Sequence, residues 1–198
     1  SNTSSSTIEG VNVNDFDAYG FYLINSSNNT LTANTATNNN NFGFVLSTNS
    51  QYNTLTANTA SDNGSNGFDL NSTNNTLTAN SATNNGSSGF ELDASADSNT
   101  LTSNTSSNNG SSGFFLFSGA DYNLLTGNVA IDNDSDGFGL SIARNNILTG
   151  NKSIGNGSTG FAVKEAFGVG SNNNTLTSNR AEGNGTYGIH VRGSSGTL

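Results

Sequence analysis

Cysteine is absent from this chain of 198 residues, so no disulfide framework holds it together and thiols say nothing of its redox compartment. Basic residues are scarce. Five Lys and Arg stand against fourteen Asp and Glu, a net charge of −9, which excludes the cationic footprint that nucleic acid requires. No apolar run approaches the roughly 20 residues of a spanning helix, so membrane insertion is not expected. A single histidine, His190, leaves no multi-histidine copper or zinc site within the chain. Hydrophobic residues make up only 31%, too few for an ordinary two-layer core. Such a composition, rich in Asn, Ser, Thr and Gly, is also that of disordered chains. The sequence opens Ser1-Asn2-Thr3, as expected of a cleaved or trimmed chain, and its acidic, Lys-poor character points to a secreted or cell-surface protein.

What is present is a strict grid. Glycines at 20, 43, 67, 89, 113, 137, 160 and 188 each open a Gly-Phe-x-Leu segment, with Ile189, Val163 and Val191 as conservative exceptions. In every unit after the first, the glycine lies fourteen positions after an Asn. Two further Asn residues sit at constant spacing between them, giving the columns that begin Asn29, Asn34, Asn39, then Asn53, Asn58, Asn63, then Asn75, Asn80, Asn85. Variation in length is confined to the stretch from each glycine to the next Asn. A repeat of this kind is the signature of a solenoid.

Each unit holds three short alternating segments: Gly-Phe-x-Leu, Thr-Leu-Thr, and Asn-x-Ala/Ser-x. Period-two alternation marks strands, whereas no 3.6-residue period supports a helix. Three strands in 22–28 residues is the arithmetic of a parallel β-helix of about eight coils. The expected fold is all-β, one domain over 1–198, with a degenerate coil at 1–19, regular coils at 20–187 and an incomplete one at 188–198. The Asn columns should turn inward at the corners, where amides bond to the backbone and to identical amides above and below.

The repeat, for example Asn75-Thr76-Leu77-Thr78-Ala79-Asn80 through Gly89-Phe90-Glu91-Leu92, resembles the right-handed parallel β-helix repeat family of NosD-like and related carbohydrate-binding and sugar-hydrolase proteins. That resemblance implies the β-helix fold. It leaves activity open, because the family spans lyases, epimerases, copper-site maturation factors and surface proteins.

The first coil departs from the pattern, with Val11, Val13 and Phe16 at the ladder positions. Thr7, Ile8, Val11, Val13 and Phe16 at one end, and Thr197 and Leu198 at the other, fall at matching angles. Head-to-tail self-association through them is the expected partner interaction. Several outward features suggest sites. The column Tyr22, Val45, Asp69, Glu91, Phe115, Gly139, Ala162, His190 holds stacked carboxylates, with Asp93 beside them, that could do acid–base work on a polysaccharide. The basic residues Arg144, Lys164 and Arg192 lie at least two coils away. Asp132, Asp134 and Asp136 copy the first half of an EF-hand loop without its closing Glu, a possible calcium site and the only cofactor expected. Phe115 and Phe117 form an expected exposed contact patch. The Thr-x-Thr ranks resemble those of ice-binding solenoids. Sequons at Asn25, Asn28, Asn71 and Asn74 fall in the variable turn.

The leading expectation is a non-enzymatic extracellular structural solenoid, such as a surface-layer, sheath, adhesin or filament subunit. A carbohydrate-binding or polysaccharide-modifying β-helix is the alternative, and ice binding the third.

Overall fold

The computed structural model describes residues 5–193. Within them the chain is a right-handed parallel β-helix of eight coils, built from three parallel sheets of eight strands each, with no helix. Sheet A runs from Thr7–Glu9 to Thr175–Thr177, sheet B from Asn12–Asn14 to Arg180–Glu182, and sheet C from Phe21–Leu23 to Ile189–Arg192. Strands pair in register with their copies one coil away, so Leu31 lies on Leu55, Ala60 on Ala82 and Phe68 on Phe90. Repetition in sequence thereby becomes columns in space, about 4.8 Å per step.

Alternation decides which columns face inward. The Leu of Thr-Leu-Thr, the small residue of sheet B, and the Phe and Leu of sheet C fill the interior and form one apolar cluster. Phe21 through Phe161 stack ring on ring, with centroids 4.6 to 4.9 Å apart. Repeat glycines keep this interior narrow. A Cβ on Gly67 would meet Ala82 Cβ and the Gly89 carbonyl oxygen, each at 2.8 Å.

The coil turns sharply between sheets A and B and again after sheet B. At each corner one residue takes a left-handed conformation, such as Ala79 (φ 55°) and Asn84 (φ 55°), followed immediately by a ladder Asn. Asn and Asp tolerate this region because a short polar side chain can bond locally. The ladder Asn then satisfies the polar groups that the corner frees. Asn80 is representative: its Nδ2 donates to Leu55 O (2.9 Å) and Asn104 Oδ1 (3.0 Å). Its Oδ1 accepts the backbone N–H (2.8 Å) and Nδ2 (3.0 Å) of Asn58. The same pattern runs through Asn34 and Asn58, and through Asn39, Asn63 and Asn85. Asn29, Asn53 and Asn75 form the third ladder, before sheet A. All nine of these residues are buried. In the third ladder one buried donor, Asn123 Nδ2, has no partner among the described residues.

In the first coil Val13 does not hold the ladder position expected of it. Val11 and Phe16 occupy the places of Asn34 and Asn39, giving their backbone N–H groups to those amides (3.0 and 3.2 Å), and their side chains are exposed. Val13 stands one strand position further on, opposite Ala36, and so belongs to the small-residue column rather than to a ladder. Ile8 and Val13 pack partly against the core, and Thr7 is exposed. Thr197 and Leu198, the other half of the expected end-on contact, lie outside the described residues.

Substituting Asn80→Asp removes both donations and sets a carboxylate against Leu55 O and Asn104 Oδ1. Burying an unpaired charge should destabilise the fold by about 3 kcal/mol or more at pH 7. The loss should shrink as the pH falls and the new carboxyl protonates. Urea unfolding at pH 7 and at about pH 4, near the ordinary Asp value, checks this, and unchanged midpoints would contradict the role given to the ladder.

Candidate functional site

Sheet C differs from the other two faces. Three columns line its outer side: the residue before each repeat glycine, the residue two after it, and the residue four after it. The central column was expected to stand in solvent. Tyr22 is exposed, but Glu91, Phe115 and His190 are half-buried, and Val45, Asp69, Gly139 and Ala162 are buried. The flanking columns rise on either side of a strand only a few residues wide, so the face is a groove that opens into two cavities, one over coils one to four and one over coils five to seven.

Over the first four coils this groove encloses ≈ 440 Å³. Its first wall is aromatic. Tyr19 packs against Tyr22 (centroids 5.0 Å apart) and Phe42 (5.6 Å). Next come the carboxylates. Asp69 and Glu91 are in-register neighbours on adjacent strands, with Asp93 beside Glu91 in the flanking column. Then Phe115 and Phe117 follow, their rings stacked 5.5 Å apart. Along the solenoid axis the acids therefore sit between two aromatic platforms.

Asp69 is only 8% exposed. Asn66 Nδ2 donates to its Oδ2 (3.0 Å) and Asn71 Nδ2 to its Oδ1 (2.6 Å). Burial holds its carboxyl above the ordinary value of 3.8, and the charge of Asp93 adds to this, while the amide donors pull the other way. Glu91 is likewise raised above 4.5, first by burial and then by the neighbouring Asp69 charge, with Ser88 opposing. Carboxyls of this kind hold a proton into a higher pH range than free ones, as a general acid requires.

Beyond Phe115 the floor is small. A Cβ on Gly139 would meet the Phe115 ring at 3.0 Å. Over this floor Lys164 Nζ crosses the central column to Asp136 Oδ2, at 2.8 Å. At the far end His190 packs on Tyr187, ring centroids 4.8 Å apart.

The other expected sites fare differently. Asp132, Asp134 and Asp136 do not converge. Asp136 turns into the groove, where it is engaged by Lys164 and by the Thr159 N–H (2.9 Å), while Asp132 and Asp134 are exposed at the corner. No group of three His, Cys, Asp or Glu side chains capable of holding a metal occurs among the described residues. Phe115 and Phe117 are half-buried rather than freely exposed, because each leans on its neighbour in the groove. Among the sequons, Asn25, Asn28 and Asn74 are exposed, but Asn71 is half-buried and its amide is bonded to Asp69. Tyr19, Phe42 and Asn66 were missed by sequence reasoning. The available signal was the position just before the repeat glycine, where these large or amide side chains replace the Ser of Ser88 and Ser112.

No curated protein sequence matches the chain. Solved structures do. The periplasmic alginate epimerase AlgG matches with a TM-score of 0.80 at 19% identity, over 98% of this chain and 51% of its own. The Azotobacter vinelandii mannuronan C-5 epimerase AlgE4 A-module gives 0.81 at 21%, over 97% and 57%. The Dettilon tailspike protein gives 0.70 at 16%, over 87% and 42%. The chain thus spans about half the length of these structures, and the likeness is one of fold. It overturns the expectation of a non-enzymatic chain, since enzymes that modify polysaccharides are built on this same solenoid.

Two family profiles match, the right-handed beta helix region over residues 1–130 and the periplasmic copper-binding protein (NosD) over residues 69–198. The donor set does not fit copper. The chain has no Cys, no Met and one His, whereas copper favours sulfur and imidazole ligands. By its coil-by-coil register and by the match of both profiles, the chain belongs to the right-handed β-helix family.

Proposed function

We propose that the chain binds and modifies a polysaccharide laid along the groove of sheet C. The observation that carries this reading is the order of side chains met from coil to coil along sheet C: Tyr19, Tyr22 and Phe42, then Asp69, Glu91 and Asp93, then Phe115 and Phe117. A linear polymer parallel to the solenoid axis would meet the columns in turn, with sugar faces against aromatic rings and a glycosidic linkage over the acids. Glu91 is the proposed proton donor and a neighbouring carboxylate its base partner, the two-carboxyl arrangement that glycoside chemistry uses. Kinship of fold with alginate epimerases supports a carbohydrate substrate. The NosD profile and AlgG are both described as periplasmic, which supports a location outside the cytoplasm.

The charge pattern narrows the substrate. Three carboxylates occupy the centre of the groove, the chain carries −9 overall, and Lys164 is held by Asp136. A polyuronate would be repelled at this site. The proposed substrate is a neutral polysaccharide.

Binding of neutral and uronate oligosaccharides, measured by calorimetry, tests the reading. Neutral chains should bind, and Tyr22→Ala and Phe115→Ala should each weaken binding about tenfold, the equivalent of about 1.4 kcal/mol. Exclusive binding of uronates would contradict the neutral-substrate reading, and unaltered binding in both variants would remove the groove.

Glu91 also makes a stability prediction. Its folded pKa is raised, so the folded state binds more protons than the unfolded one between the two values. Stability from this group is complete below about 4.5, the ordinary Glu value, and is lost as pH rises through the folded value. Glu91→Gln should therefore raise the melting temperature at pH 7, by about 2–4 °C per kcal/mol recovered, and gain nothing below pH ~4. Any catalytic activity should fall in the same variant. A lower melting temperature at pH 7 would contradict the burial given to this carboxyl.

A further inference from the structure

Sheet A presents a different surface from the groove. Coils two to five and coil eight carry Thr-Leu-Thr there, and coils six and seven keep the second Thr beside Leu124 and Ile147. After Glu9 in the first coil, no outward position of this sheet is charged, on a chain whose net charge is −9. In coils two to seven each strand is gripped at both ends by a buried Asn, as Asn75 and Asn80 grip Thr76–Thr78. The side chains therefore stand on a scaffold fixed at about 4.8 Å between coils and about 6.6 Å between the two rows.

The hydroxyls on this face are unspent. On sheet B the corresponding groups pair across coils, Thr37 with Ser61 at 3.0 Å and Thr83 with Ser107 at 3.2 Å. On sheet A no described Thr makes a side-chain hydrogen bond to the protein. Their methyl and hydroxyl groups recur coil by coil in two uncharged rows on the outer face, the first interrupted by Leu124 and Ile147.

We infer that sheet A is an ice-binding face, its ligand the ordered water of an ice surface. The spacing between coils is comparable to one oxygen repeat on a prism face of ice. Charged groups would orient water against that lattice, and the face has none over seven coils. Hydroxyls bonded to one another would not be free to join it, and here they are not bonded. This activity is separate from the proposed groove, which lies on another sheet.

The test is thermal hysteresis and ice-recrystallisation inhibition by the purified chain. Faceted growth and a measurable hysteresis gap are expected, lost in Thr78→Lys and Thr102→Lys and kept in Thr59→Lys on sheet B. Circular dichroism melts identify any variant that fails to fold, and Thr78→Val, which keeps the shape without the hydroxyl, then stands in its place and should reduce the gap. Wild-type protein that leaves ice crystals as rounded discs, at concentrations where recrystallisation also proceeds as in an albumin control, would overturn the inference. Equal loss in Thr59→Lys and Thr78→Lys, with both folded, would overturn the choice of face.

Discussion

The inward-facing asparagine is the constraint on which the rest of this molecule depends. A coil that turns through a single left-handed residue leaves backbone donors and acceptors pointing into a narrow interior, where they cost several kcal/mol unless paired. An amide has both a donor and an acceptor end, so one residue type repeated at one place can serve the corner below and the corner above together. Asn58, Asn80 and Asn104 do this in succession. A carboxylate cannot donate, and a hydroxyl has one hydrogen to give where the amide has two. That is why a chain with only 31% hydrophobic residues still builds a continuous core.

Because ladders and glycines fix the cross-section, function is left to the outward columns, and the three faces diverge. Sheet A carries rows of hydroxyls, sheet B pairs its hydroxyls or carries charge, and sheet C is recessed between flanking columns. The recess changes the chemistry of what lies in it. Asp69 and Glu91 would be ordinary surface acids on sheet B; in the groove burial raises both, helped by the charge of Asp93 for Asp69 and of Asp69 and Asp93 for Glu91. The electrostatic cost is local and is carried by a scaffold whose stability resides elsewhere, in the ladders and the Phe stack.

How much of this was legible in the sequence follows from what repeats. The glycine-to-glycine grid implied the coil, the strand faces and the ladder, since each depends on residues recurring at fixed spacing. Features that depend on one coil meeting the next diagonally were hidden. The Lys164–Asp136 bridge joins different columns of different coils, so no spacing rule reveals it. Asp136 looked like part of a calcium loop because Asp132, Asp134 and Asp136 alternate in sequence, yet the corner at Asn133 sends them to different sides. The depth of the central column was equally invisible, because alternation says which way a side chain points and not how high its neighbours stand. The absence of activity, read from the missing basic residue near the acids, was too strong a conclusion from one column.

The central claim is that an extended sugar chain lies along sheet C with the carboxylates beneath it. A crystal structure of the chain soaked with a neutral oligosaccharide long enough to span four coils tests this most directly. The account predicts continuous sugar density between Tyr22 and Phe115, with a glycosidic oxygen within hydrogen-bonding distance of Glu91. Density on sheet A or sheet B instead, with the groove empty, would contradict it.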